Sequence, residues 1–397
     1  MRNKMRLGDI ATLITKGTTP TSVGYTFTDT GVNFVKIESI REDGTFIPDK
    51  FAHISDECNT KLKRSQLQEN DILFSIAGAI GRTAIVTKDC LPANTNQALA
   101  IIRIPQGVID YRFLLYALQS DAIIEQAEKQ KQGVAQLNLS LQNINDFEIP
   151  FFTEEEQLTV VEVLSSVDSL LSTRIAQLEQ LDELVKSRFI ELFGDPVQNP
   201  MGWKIETLKK ATTKIGSGAT PKGGKESYQT EGITLIRSMN VHDGRFEYKD
   251  LAHITDEQAK QLENVTVEEN DVFINITGAS VARSCIVPKH ILPARVNQHV
   301  AIIRCITSML NPVFANQMFL NASFKGQLLD IGESGGATRQ AITKQQLETI
   351  TVILPPIELQ EQFAAFVEQT DKSKLAVQQS ITELEELKKS LMQKYFG

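Results

Sequence analysis

Cysteine is scarce and unpatterned in this chain. Its 397 residues hold only Cys58, Cys90, Cys285 and Cys305, with no Cys-x-x-Cys spacing and no histidine set beside them in a ligand pattern. A disulfide framework and a thiolate metal site are thereby disfavoured, and idle reduced thiols in a cytoplasmic protein are expected. Long apolar runs are missing too. The longest, Ile72 to Ile80, is too short to span a bilayer, and no apolar segment follows Met1-Arg2-Asn3-Lys4. No membrane contact is expected.

The usual catalytic signatures are also lacking. No Gly-x-Gly-x-x-Gly opens a strand–helix unit, which argues against a dinucleotide site. Gly218 to Lys225 has the glycine content of a phosphate loop, but Ala219 stands where glycine is required and Glu226 where Ser or Thr must hold magnesium. Asn199-Pro200-Met201-Gly202 is not the Asn-Pro-Pro-aromatic motif with which adenine methyltransferases grip a flipped base. His53 and His253 sit in matching Ala-His-Ile contexts followed by acids, yet no nucleophile or second ligand shares the spacing, so structural turn histidines are expected. Catalytic residues, a metal and a cofactor are all expected to be absent.

What the chain does have is a plan written twice. Residues 1–150 and 200–355 match in register at an offset of 200 or 201. Gly17-Thr18-Thr19-Pro20 answers Gly218-Ala219-Thr220-Pro221, and Ala52-His53-Ile54 answers Ala252-His253-Ile254. Glu69-Asn70-Asp71, Leu91-Pro92-Ala93, Asn96-Gln97 and Ala100-Ile101-Ile102-Arg103 likewise recur at Glu269, Leu292, Asn297 and Ala301. A period this long means a duplicated domain, well outside the range of solenoid repeats. Within each copy, strands are expected at Val32 to Ile37, Asp71 to Ile76, Thr83 to Val86 and Ala98 to Ile104, with their counterparts, and one helix each at Tyr111 to Gln130 and Pro312 to Leu329.

A helix without internal glycine or proline follows each copy. From Thr153 to Gly194, Leu164, Leu171, Leu178, Val185 and Leu192 recur every seventh residue, with Val167, Ile175, Leu181 and Phe189 between them. Thr153 with Glu156 reads as a capping box, the following acids suit the helix dipole, and Gly194 with Pro196 is a stop signal. The C-terminal stretch from Ile357 offers a matching stripe: Phe363, Val367, Val377, Ile381, Leu384, Leu387 and Leu391. About 40 residues at 1.5 Å each make a rod of order 60 Å. Two such rods in one chain are expected to pair antiparallel. The fold class is therefore α+β, with two duplicated mixed α/β domains (1–150 and 196–353) and two long helical spacers (151–195 and 354–397). The formal charge of −8 is concentrated on the first spacer, which has 3 basic and 10 acidic side chains, while the two domains are near neutral at −1 and +2. Local basic clusters on those domains remain compatible with phosphate contact.

This layout suits a reader of two unequal half-sites on DNA, whose turns lie roughly 34 Å apart. Over its full length the chain resembles the specificity subunits of type I restriction–modification systems. The resemblance rests on Leu7-Gly8-Asp9-Ile10 before Gly17-Thr18-Thr19-Pro20, on Ile236-Arg237-Ser238-Met239-Asn240-Val241, and on Glu69-Asn70-Asp71-Ile72-Leu73 leading to Gly78. It rests further on Gly335-Gly336-Ala337-Thr338-Arg339-Gln340 and Leu354-Pro355-Pro356-Ile357-Glu358-Leu359-Gln360-Glu361-Gln362. The first half departs from these forms at Gly133-Val134-Ala135-Gln136 and Phe151-Phe152-Thr153-Glu154. The resemblance implies two target-recognition domains on double-stranded DNA. Its spacers would dock two modification (methyltransferase) subunits, and restriction/translocase subunits would complete the complex. Methyl transfer would be the partners' chemistry. A stand-alone regulatory DNA binder built from the same modules is the alternative.

Residues shared by the copies cannot distinguish the half-sites. Lys36, Arg237, Arg82, Arg283, Arg103 and Arg304 are therefore assigned to phosphate contact or to packing. Asn96-Gln97 and Asn297-Gln298 either form bidentate contacts to adenine or satisfy buried backbone groups. Lys16, Thr18, Thr19, Thr220 and Asn240, in or beside the recurring motifs, are further DNA-binding candidates. Discrimination is expected where the copies diverge, at Thr21 to Thr30 against Lys222 to Glu231 and at Gln136-Leu137-Asn138 against Arg339-Gln340. Lys222 and Lys225 among glycines suit a clamp on the DNA backbone, and Arg339 suits guanine.

Overall fold

The computed structural model describes residues 3–130, 138–221, 224–333 and 340–397. The chain divides into two compact units, Met1–Arg174 with Ser380–Gly397, and Ile175–Gln379. Each unit holds one sequence copy and a stretch of each long helix.

The two copies share one topology. In the first unit, an antiparallel four-stranded sheet has the order Leu13–Lys16, Leu99–Arg103, Ile72–Ser75, Thr83–Ile85. A three-stranded sheet has Val32–Val35 between Ala52–Ile54, antiparallel, and Ala93–Thr95, parallel. The second unit repeats this with Thr212–Ser217, Val300–Cys305, Val272–Asn275, Ser284–Ile286, and with Ile233–Ile236 between Ala252–Ile254 and Ala294–Val296. A short antiparallel pair closes each copy, Lys4–Arg6 with Glu148–Pro150 and Lys204–Thr207 with Thr351–Leu354. His53 and His253 thus lie on strands, not on the turns expected for them.

The strands Ile72–Ser75 and Val272–Asn275 are buried on both faces, which explains their continuous apolar runs. One face packs on helices and the other on the smaller sheet. The helices break where a single one was expected. Ser120 has an extended backbone and its hydroxyl accepts from Ile123 N, so Tyr111–Gln119 ends before Asp121–Gln130 begins. Asn321 does the same between Pro312–Leu320 and Ala322–Glu333, its Oδ1 accepting from Ser323 N and Phe324 N. The four cysteines are buried and free, and burial pushes the Cys285 and Cys305 thiols up to about 12.

The long helices run Glu154–Phe193 and Ile357–Phe396. The first starts with the expected capping box, Thr153 N donating to Glu156 Oε2 at 2.8 Å, and ends at Gly194 with φ 73°. In the first unit the start of one helix meets the end of the other: Phe396 lies 6.3 Å from Phe152 and 5.3 Å from Phe113, and Lys388 pairs with Asp168 at 2.7 Å. Tyr116 donates to the same carboxylate at 2.8 Å. In the second unit Phe189 and Phe193 pack around Phe363 and Phe314 with centroids 4.7 to 5.6 Å apart, and Lys374 pairs with Asp182. The pairing is antiparallel in both. Leu164, Val185, Phe363 and Val377 are buried, while Leu171, Leu178, Leu192, Leu384 and Leu391 are half-buried. Ile175 and Leu387, expected on the apolar stripe, are exposed.

One buried glutamine ties each helix to its own domain. Gln157 Oε1 accepts from Asp110 N and its Nε2 donates to Phe152 O, both at 2.9 Å. Gln360 Oε1 accepts from Asn311 N, and its Nε2 donates to Met309 O at 3.0 Å and Pro355 O at 2.8 Å. Replacing Gln360 by alanine leaves these backbone groups unpaired and should lower stability by about 3 kcal/mol in urea unfolding. A loss below about 1 kcal/mol would show that water replaces the clasp at no cost.

Candidate nucleic-acid interface

In each unit the ends of several strands bring the sequence candidates to one edge. Lys16 is exposed at the end of Leu13–Lys16. Gly17 then passes so close to the neighbouring strand that a Cβ would sit 1.9 Å from Thr95 O, and Gly218 is as tight, at 1.8 Å from Val296 O. Only glycine fits either crossing. Thr18 N donates to Thr95 O, and the Thr19 hydroxyl donates to Gln97 Oε1; Thr220 makes the same bond to Gln298. The Thr95 hydroxyl donates to Val35 O, which brings Lys36 to this edge. Ile76 N donates to Ala98 O, and Leu139 N to Ile76 O, so Asn138 closes the edge as the bridge partner of Ala77. In the second unit Ile276 N donates to His299 O, Gly278 N to Gln340 O and Ile342 N to Ile276 O.

The asparagine–glutamine pair divides its labour. Asn96 Oδ1 accepts from Ala98 N and Asn297 Oδ1 from His299 N, both at 3.0 Å, so the asparagines satisfy the turn. Gln97 and Gln298 are exposed. Asn240 is fully buried, its Nδ2 donating to Glu247 O at 3.0 Å and Lys249 O at 3.4 Å. It holds a loop and is withdrawn from the surface assigned to it. Gln340 faces Glu333, 2.7 Å from its Nε2. Gln136, Lys222, Arg339 and the side chain of Lys225 lie outside the described residues.

The cations sort into three kinds. Arg103 makes two 2.7 Å bonds to the buried Asp71 carboxylate, and Arg304 grips Asp271 at 2.8 and 2.9 Å. These bidentate pairs belong to packing. Lys36 sits 4.5 Å above the Phe27 ring, and Arg237 sits 5.4 Å above Tyr228 while donating to Asp250 O. Each keeps a cation on an aromatic shelf beside the edge. Arg82 donates to Ile37 O and Ile40 O at 3.4 and 3.0 Å. In the second unit Asn275 takes over that task, donating to Ser238 O at 2.9 Å and Val241 O at 3.4 Å. Arg283 is thereby released, and its side chain makes no hydrogen bond or ion pair with the described residues. It follows Ala282, held at φ 66° where the first copy has Gly81.

Family comparison agrees with this duplicated build. The family model for the type I restriction modification DNA specificity domain matches residues 2–180 and 200–388. The chain belongs to that family. By family it is a specificity subunit, a recognition component and not an enzyme. It is 24% identical over 413 residues to the putative MjaX specificity subunit of Methanocaldococcus jannaschii, covering 97% of this chain and 90% of that one. With the EcoBI specificity subunit of Escherichia coli it shares 22% identity over 335 residues, 77% and 69% of the two chains. Two solved structures share the fold. A chain from a study of complex assembly and conformational transition of the type I R-M system gives a TM-score of 0.61 at 19% identity, covering 99% and 97%. The S subunit from M. genitalium gives 0.56 at 16%, covering 100% and 96%.

The specificity subunit's two equivalent arginines should respond differently to removal. Arg82→Ala should cost about 1–2 kcal/mol of stability through the orphaned carbonyls of Ile37 and Ile40. Arg283→Ala should leave unfolding unchanged but weaken duplex binding and flatten its salt dependence by about one counterion. Equal stability losses in the two variants contradict this division.

Proposed function

We propose that the chain is the DNA-specificity subunit of a type I restriction–modification complex, and that residues 1–150 and 196–353 are target-recognition domains, each reading one half of a bipartite, asymmetric site. Residues 151–195 and 354–397 act as the spacers that dock two modification subunits, with restriction/translocase subunits completing the assembly. The observation that carries this reading is the duplicated edge. The same glycine crossing, threonine–glutamine bond and asparagine turn recur in both units, while neighbouring side chains differ. A common scaffold with changed contact residues is what reading two different short sequences requires.

Docking is supported by the helices themselves. Leu158 and Leu170 are exposed on the first helix within the first unit; in the second unit Leu184 and Ile190 of the first helix and Leu375 of the second are exposed. Apolar side chains left outside a helix pair suit a partner surface. The stand-alone regulatory reading gives them no role.

A domain exchange tests the proposal. Replacing residues 200–353 by the matching domain of a relative should change one half of the methylated sequence and leave the other intact. Lengthening both helices by whole turns should change the gap between the halves and keep the bases read. Altered specificity in both halves after the exchange, or purification without any modification subunit, contradicts it.

A further inference from the structure

The second unit carries a polar chain for which the first has no counterpart. The Thr220 hydroxyl donates to Gln298 Oε1, Gln298 Nε2 lies 3.1 Å from His299 Nε2, and His299 Nδ1 lies 2.5 Å from the Thr277 hydroxyl. Because Gln298 Oε1 is the acceptor for Thr220, its Nε2 must be the donor toward His299. His299 Nε2 is then the bare nitrogen, and Nδ1 carries the proton toward Thr277. Turning the amide over would require the other tautomer of His299 and reversal of both threonine hydroxyls. In the first unit the corresponding positions are Ala98 and Ala77, and among the described residues Gln97 is held by Thr19 alone.

Gln298 is exposed, and these bonds use one oxygen lone pair and one N–H of its amide. Among the described residues, one lone pair and one N–H remain without a partner. A side-chain amide offering both is the group that pairs with N6 and N7 of adenine in the major groove. An unheld amide offers the same atoms in either order and discriminates less.

Resting on the specificity-subunit reading, we infer that Gln298 reads an A·T pair in the half-site of the second domain, and that His299 is the positioning residue that fixes its amide. Thr277 holds the His299 ring at its other nitrogen. The first domain lacks this device, so its Gln97 imposes a weaker preference.

The test is selection from a pool of randomised DNA duplexes by the full chain, with any subunits that co-purify. Wild type should select a bipartite site with an A·T pair in the half read by residues 196–353. His299→Ala should lower the preference at that one pair about tenfold, with non-specific affinity and all other positions unchanged. His299→Gln, which restores an acceptor facing Gln298, should recover most of the preference; a merely structural histidine would not be rescued in this way. If His299→Ala selects the same site with the same preference, or loses the whole half-site, the inference is overturned while the specificity reading stands. A wild-type protein that selects no bipartite site overturns both.

Discussion

Two glutamine side chains inside the protein, Gln157 and Gln360, fix each long helix to its own domain. Each takes the backbone N–H that precedes a domain helix and returns its own N–H to the strand exit below it. Buried, hydrogen-bonded amides of this kind fix an angle in a way that apolar contact alone does not, because a shifted partner leaves a polar group unpaired at a cost of about 1–3 kcal/mol. Aromatic packing then surrounds each clasp, Phe113, Phe152 and Phe396 in the first unit and Phe189, Phe193, Phe314 and Phe363 in the second. A recognition edge is useful to a partner enzyme only if the domain bearing it does not swivel on its helix.

Duplication separates scaffold from specificity by comparison within one chain. The buried carboxylates Asp71 and Asp271 hold Arg103 and Arg304 identically, so those arginines cannot tell two half-sites apart. Arg82 and Arg283 are equivalent in sequence, but the carbonyls that occupy Arg82 are served by Asn275 in the second unit. Ala98 and His299 differ outright. The copies thus share the interactions that shape the edge and diverge in the side chains presented on it.

The duplication, the long helices and their capping were legible because each depends on local pattern: in-register motifs, a heptad and a Thr-x-x-Glu start. The short strands Leu13–Lys16, Ala52–Ile54 and Ala93–Thr95 were not, since a polar or charged residue breaks each apolar run. Ser120 and Asn321 break helices at positions where the apolar period continues, and only their capping bonds reveal it. Ile175 and Leu387 fell outside because an α-helix drifts against a strict seven-residue repeat. Arg103 and Arg304 were identifiable as candidates, but their assignment to packing required seeing Asp71 and Asp271, which sequence placed only at the start of a strand. Gln157 and Gln360 were missed altogether. A glutamine among glutamates at a helix start reads as surface, and the repeated Glu-x-Gln spacing around a proline exit was the signal available.

The most direct measurement is sequencing of methylated bases across the host genome with this gene intact and deleted. The account predicts that deletion abolishes methylation at one asymmetric motif made of two short blocks separated by unread base pairs, and leaves every other methylated motif as it was. Unchanged methylation, or loss of a single uninterrupted motif, would contradict it.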